Sequence, residues 1–245
     1  MKILLNGVRG RMGQVIVALA EAQGDVVTSA LDQGEAASAA AWQACDVVVD
    51  FSSHEATVAL VQLAAAHHKP VVIGTTGHDA AETSAILAHQ ATIPIVWSGN
   101  YSIGVNLLFY LTEQVAATLT NDYHPEIVEM HHRMKKDAPS GTARHLVEAI
   151  LRGRQWPATA ARYGRDGITG ERPAEEIGVH ALRGGEVVGE HTVIFAGPGE
   201  RLELKHQATD RRIFGQGALA AAQWALGQPP GLYTMQDVLA LGGKG

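Results

Sequence analysis

One stretch, Glu126-Ile-Val-Glu-Met-His-His-Arg-Met-Lys-Lys-Asp-Ala-Pro-Ser-Gly-Thr-Ala143, gathers the residues best suited to chemistry. His131, His132, Arg133, Lys135 and Lys136 place two imidazoles and three fixed positive charges within six residues. Asp137 follows, then Pro139, which interrupts regular structure. Ser140 has the side chain of a helix N-cap, with a helix expected from Gly141 or Thr142 to about Leu151. The unpaired amides and positive dipole end of such a helix, beside His, Arg and Lys, suit a small carboxylate or phosphate compound. The same composition also occurs as a solvated basic loop with two surface histidines, so the surrounding elements decide between the readings.

Those elements begin just upstream, where Glu126, Val128 and Met130 alternate with Ile127, Glu129 and His131 in the period of a strand. At the N-terminus, Lys2 to Asn6 reads as a buried strand, Gly7-Val-Arg-Gly-Arg-Met-Gly13 as a glycine turn, and Val15, Ile16, Leu19 and Ala20 as a helix. That is a dinucleotide-binding layout in a GxxGxxG variant: Gly7 for the tight turn, Gly10 for approach to a pyrophosphate, Gly13 for helix packing. A second strand, Val26 to Leu31, ends at Asp32, where an acid can hold ribose hydroxyls. Strands at 46–50, 70–73 and 93–97 alternate with helices at 55–67 and up to about Gln90. Strand–helix alternation implies a parallel sheet whose ligands bind past the carboxyl ends of its strands, where Phe51, Gly74, Thr75, Thr76 and Asn100 also fall.

Beyond Asn100 the pattern changes. A long amphipathic helix is expected from Ile103 to Leu119, and an irregular stretch runs to Arg172. Three extended segments follow, 177–183, 187–195 and 201–207, joined by Gly184-Gly185 and Gly197-Pro198-Gly199; they read as an antiparallel meander. The expected architecture is α/β: a Rossmann-type parallel-sheet dinucleotide-binding domain over 1–102, to which 212–245 returns, and a mixed α/β domain over 103–211 with an antiparallel sheet. The open face of that sheet is a candidate subunit contact.

The 245 residues are 46% hydrophobic and 18% charged with a net charge of -6, the balance of an ordinary globular enzyme. Mild acidity argues against a nucleic-acid partner and makes the basic cluster a local exception suited to an anionic small molecule. The N-terminal apolar run is too short for a signal peptide or a membrane span, so a cytoplasmic protein with no membrane partner is expected. Cys45 is the one cysteine, which excludes an internal disulfide, and His131-His132 lacks metal-ligand spacing, so no metal is expected.

Six stretches together carry a resemblance: Gly7 to Gly13, Asp50-Phe51-Ser52, Gly74 to Gly77, Asn100 to Asn106, Glu129 to Thr142 and Gly189-Glu-His191. The chain resembles the dihydrodipicolinate reductases over nearly its whole length, most specifically in His-His-x-x-Lys-x-Asp-Ala-Pro-Ser-Gly-Thr. The resemblance implies NAD(P)H-dependent reduction of 4-hydroxy-tetrahydrodipicolinate, a small dicarboxylate, in the diaminopimelate route to lysine, by a homotetramer built through the second domain's sheet. It places the proton donor at His131 and the catalytic lysine at Lys135. Substrate-carboxylate contacts fall at His132, Gly141 and Thr142. Dinucleotide contacts fall at Gly7, Val8, Arg9, Gly10, Arg11 and Met12, at Asp32, at Gly74, Thr75 and Thr76, and at Ser98, Gly99, Asn100 and Tyr101. Many relatives follow the ribose acid with arginine, whereas this chain has Gln33. Asp32 then opposes a 2′-phosphate while Arg9 and Arg11 can offset it, so NADH and NADPH are expected to work within about tenfold of each other. A different nicotinamide-dependent dehydrogenase and a non-enzymatic dinucleotide sensor are the rival readings.

Overall fold

The computed structural model describes residues 1–242. The chain divides into two compact units: Met1–Ile103 with Arg211–Gly245, and Gly104–Asp210.

In the first unit β1 (Lys2–Asn6), α1 (Arg11–Gln23), β2 (Val26–Leu31), α2 (Ala39–Ala44), β3 (Val47–Asp50), α3 (His54–Ala66), β4 (Val71–Ile73), α4 (Ala80–Leu87) and β5 (Pro94–Trp97) alternate in the expected order, with α2 an addition to the elements expected from sequence. α5 (Ile103–Thr118), β6 (His124–His131), α6 (Gly141–Arg154), β7 (Ala161–Tyr163), β8 (Ile177–Arg183), β9 (Gly189–Ala196) and β10 (Arg201–Ala208) follow. α7 (Arg212–Ala225), β11 (Gly231–Tyr233) and α8 (Met235–Val238) close the chain. The six-stranded sheet has the order β11-β5-β4-β3-β1-β2, and every pair in it is parallel.

Its Val- and Ile-rich strands are covered on both faces, as parallel sheets require. Alternate residues separate cleanly. Ile3, Leu5, Val47, Val49, Val72 and Val96 pack with Ile16 and Ala20 of α1 and with Ala218, Leu219 and Ala222 of α7. Leu4, Val48, Val71, Ile73 and Ile95 pack instead with Trp42, Leu60, Val61, Ala64 and Ile86 of α2, α3 and α4. The first strand-to-helix turn tolerates no side chain: Gly7 has φ +90°, and a Cβ there would lie 2.2 Å from the Phe51 carbonyl oxygen.

The second unit carries a five-stranded sheet of order β10-β9-β6-β8-β7. The antiparallel meander is overturned. β9 and β10 do form a hairpin, but β8 and β9 do not pair; β6 lies between them, parallel to β8 and antiparallel to β9. Glycine turns announce that the chain reverses without saying which strand it returns beside. Here the reversing segment passes the end of β6, with Gly184 N donating to His131 O and His132 N to Val187 O. The segment read as irregular also supplies β7, parallel to β8. Ile127, Val179, Val193 and Phe195 pack under α5 and α6 on one sheet face. At the far end of that face the same alternation brings Glu129, His131 and His191 inward, all buried.

Candidate active site

In the first unit, candidate residues gather at the carboxyl ends of the strands. α1 starts at Arg11 behind Gly10, an N-cap with no side chain to satisfy the first-turn amides. Those amides suit the phosphates of a dinucleotide, and the missing side chain leaves them open to approach. A groove lined by Asn6, Gly7, Gly10, Leu31, Asp32 and Glu35 continues over Trp42, Ala59 and Leu63, giving a polar end and an apolar end that fit an adenosine diphosphate moiety. Asp32 accepts from Gln33 N and Arg9 N, each at 2.8 Å, and these backbone donors lower its pKa. Arg11, Met12, Gly74, Thr76, Gly99, Asn100 and Tyr101 border a second, smaller groove.

Several expected contacts have other duties. The Tyr101 ring is buried, its hydroxyl donating to Ile73 O and Val96 O at 2.8 and 3.0 Å, and burial raises its phenol well above the ordinary range. Val8 packs against the core, and the Ser98 hydroxyl donates to Asn100 O at 2.8 Å. Thr75 donates to Asp50, which also accepts from Asn6, Ser52 and Thr57 at 2.5 to 2.9 Å. That buried carboxylate ties the ends of β1, β3 and β4 together, a role the sequence reading missed.

In the second unit, Glu129 is wholly buried at the end of β6. His131 Nδ1 lies 2.6 Å from its Oε2; Arg183 donates to both its oxygens at 2.8 Å, and Ser140 N donates to Oε1 at 3.1 Å. Burial alone would raise the Glu129 pKa, but the bonds from His131, Arg183 and Ser140 outweigh it and hold the group at about 2. With Nδ1 so engaged, Nε2 is the ring nitrogen left for chemistry, and Gly189 gives it room: a Cβ there would lie 3.0 Å away. His191, whose ring centroid is 5.1 Å from that of His131, shares a 2.9 Å hydrogen bond with Ser140 Oγ. Burial, with His131 as the next contributor, pushes His191 down to about 3, so it is neutral.

The loop after β6 is pinned at both ends. Arg183 also donates to Asp137 O at 2.7 Å, and Ser140 caps α6 by accepting from Ala143 N at 3.1 Å. On either side of these anchors, Lys135 pairs with Asp137 at 2.9 Å, and Gly141 and Thr142 form the first turn of α6. The single unit thus holds His131, His132, Lys135, Gly141 and Thr142 on one strand end, one short loop and one helix start. Among the described residues no cluster of His, Cys, Asp and Glu is placed to hold a metal ion, and no helix is long and apolar enough to cross a membrane.

Comparison with known proteins matches residues 1–101 to the family model "Dihydrodipicolinate reductase, N-terminus" and residues 104–239 to "Dihydrodipicolinate reductase, C-terminus". A 4-hydroxy-tetrahydrodipicolinate reductase of Akkermansia muciniphila is 52% identical over 243 residues, 98% of each chain. The chain belongs to the dihydrodipicolinate reductase family. A family member of the same name from Thiobacillus denitrificans is 44% identical over 98% of each chain. Among solved structures, a dipicolinate-bound dihydrodipicolinate reductase from Paenisporosarcina sp. TG-14 is similar in fold, with TM-score 0.78, 21% identity and coverage of 97% of this chain and 98% of that one. Membership of this reductase family carries a nicotinamide cofactor.

The second unit of this family member also brings Glu129, Arg183 and His191 into the site, and Ser140, read from sequence as the α6 cap, bonds to both Glu129 and His191 there. Glu129 was legible in principle: it lies two residues before His131 on one strand, hence on the same face. His191 stood in the sequence only within the Gly189-Glu-His191 stretch of the resemblance, with no role assigned to it.

Proposed function

We propose that this chain reduces 4-hydroxy-tetrahydrodipicolinate to tetrahydrodipicolinate, with release of water, in the diaminopimelate route to lysine. The observation that carries the reading is the buried Glu129–His131 pair beside Lys135 and the α6 start within one unit. A dinucleotide sensor has no use for such an arrangement. NADH or NADPH, when bound, supplies the hydride. Gly7, Gly10 and the first turn of α1 hold its phosphates, and Asp32 accepts from ribose hydroxyls.

The protein's own residues do the rest. Hydride addition to a ring conjugated with an imine leaves negative charge that an acid must neutralise, and His131 Nε2 donates that proton. Glu129 steadies the resulting imidazole through Nδ1. Lys135 and the amides of Gly141 and Thr142 hold the two carboxylates, with His132 beside them. The test is a coupled assay in which dihydrodipicolinate synthase generates the substrate and loss of NADH or NADPH absorbance is followed; no oxidation of either cofactor overturns the activity.

Two expected results arise from this reading. Lys135→Met weakens binding of pyridine-2,6-dicarboxylate by about ten- to a hundredfold, the effect of one lost charge-assisted hydrogen bond. Calorimetry showing unchanged affinity would remove Lys135 from the carboxylate site. The second concerns assembly. The sheet face opposite α5 and α6 carries Val128, Met130 and Ile194, with Leu182 49% exposed at its side. A homotetramer joined through that face covers these apolar side chains, and light scattering at micromolar concentration should return the tetramer mass rather than the monomer's.

A further inference from the structure

The near-equality of NADH and NADPH expected from sequence treats Arg9 and Arg11 as charges free to meet a 2′-phosphate. Neither is placed for it. Arg11 borders the second groove, with Gly74, Thr76 and Asn100, rather than the one that holds Asp32. The Arg9 guanidinium is paired with Glu35 at 2.8 Å, and the other Glu35 oxygen accepts from Asp32 N at 2.9 Å. That backbone bond fixes Glu35 to the same turn that presents Asp32. The lining of this groove contains the carboxylates of Asp32, Glu35 and Glu55 and no lysine or arginine.

We infer that Glu35 sets the cofactor preference of this chain: by engaging Arg9 and adding a second carboxylate beside Asp32, it makes the protein select NADH over NADPH. The inference deepens the assignment of the first unit as a nicotinamide-dinucleotide site and rests on it. A ribose diol needs acceptors, which Asp32 supplies. A 2′-phosphate brings up to two negative charges into a groove whose nearest guanidinium is already neutralised. Because the groups are largely solvated, the discrimination is Coulombic and moderate, about tenfold or more at low salt, and it shrinks as salt rises.

The test is direct binding, by calorimetry, of NADH and of NADPH to the full-length protein at low and at physiological ionic strength. The wild type should bind NADH at least about tenfold tighter at low salt. Glu35→Gln releases Arg9 and should narrow the ratio by about fivefold or more; adding Arg9→Ala to it should restore most of the gap. Arg9→Ala alone should change the wild-type ratio by less than about threefold, because its charge is already engaged. A wild-type ratio within about threefold, a ratio indifferent to Glu35→Gln, or a large effect of Arg9→Ala alone would overturn the inference. Binding of neither dinucleotide is a different result, which overturns the assignment of the first unit itself.

Discussion

His131→Gln lowers kcat by about two to four orders of magnitude while the dinucleotide dissociation constant stays nearly unchanged. The expectation follows from where His131 sits. Its Nδ1 is committed to Glu129 at 2.6 Å, so the glutamine keeps the volume and a hydrogen-bonding group but has no proton to give at the position of Nε2. The dinucleotide groove belongs to the other compact unit and contains no part of β6, so the substitution removes a proton transfer and not a cofactor contact. Steady-state kinetics of the coupled reaction and separate calorimetry with NADH distinguish the two. Parallel losses in turnover and in cofactor affinity would sink the proton-donor role.

The second large effect is on stability. Arg183→Ala should destabilise the second unit by about 3 kcal/mol or more, because it strips two hydrogen bonds from a carboxylate with no access to water. Removing one partner of a buried pair is costly chiefly through the charge left behind. Two further observations separate this from ordinary loss of packing. Glu129→Gln added to Arg183→Ala should recover part of the loss, since an amide costs less to bury unpaired than a carboxylate.

The acid limb should move as well. Glu129 is held at about 2, below the ordinary carboxylate value of 4.5, so its contribution to stability is complete above about 4.5 and disappears as pH falls through about 2. Without Arg183 the folded-state value rises toward the ordinary one and the stabilisation is lost at higher pH. Urea midpoints of the wild type and both variants across that range check all three statements. A single-variant loss below about 1 kcal/mol with an unmoved acid limb would show that the pair contributes little.

Local signals in the sequence were sufficient for much of this molecule. The parallel sheet was legible because Val47 to Asp50 and Val71 to Ile73 are continuous apolar runs closed by small or polar residues, and Ser140 announced α6 through its hydroxyl. What was not legible depends on partners far along the chain. Arg183 meets Glu129 from 54 residues away, and nothing near either residue records the pairing. The neighbours of β6 were hidden for the same reason, since Gly184-Gly185 fixes a reversal and not the strand that receives it. Glu35 escaped notice because an acid three residues after Asp32 reads as an ordinary turn residue until the turn folds it back against Arg9.

The first unit is discontinuous in sequence, and this bears on how the family's parts can be exchanged. α7, encoded after the whole of the second unit, supplies Ala218, Leu219, Ala221, Ala222 and Ala225 to the core over β1, β3 and β4, and Gly217 lets it lie against the Tyr101 backbone, where a Cβ would fall 1.7 Å from the carbonyl oxygen. A fragment cut at residue 103 therefore keeps the glycine turn, Asp32 and α1 but uncovers the part of that sheet face on which α7 packs. The second unit behaves in the gene as an insertion within the first. Recombination that swaps nucleotide-binding parts between relatives has to cross the sequence at two points, near residues 103 and 211, and carry both outer pieces together.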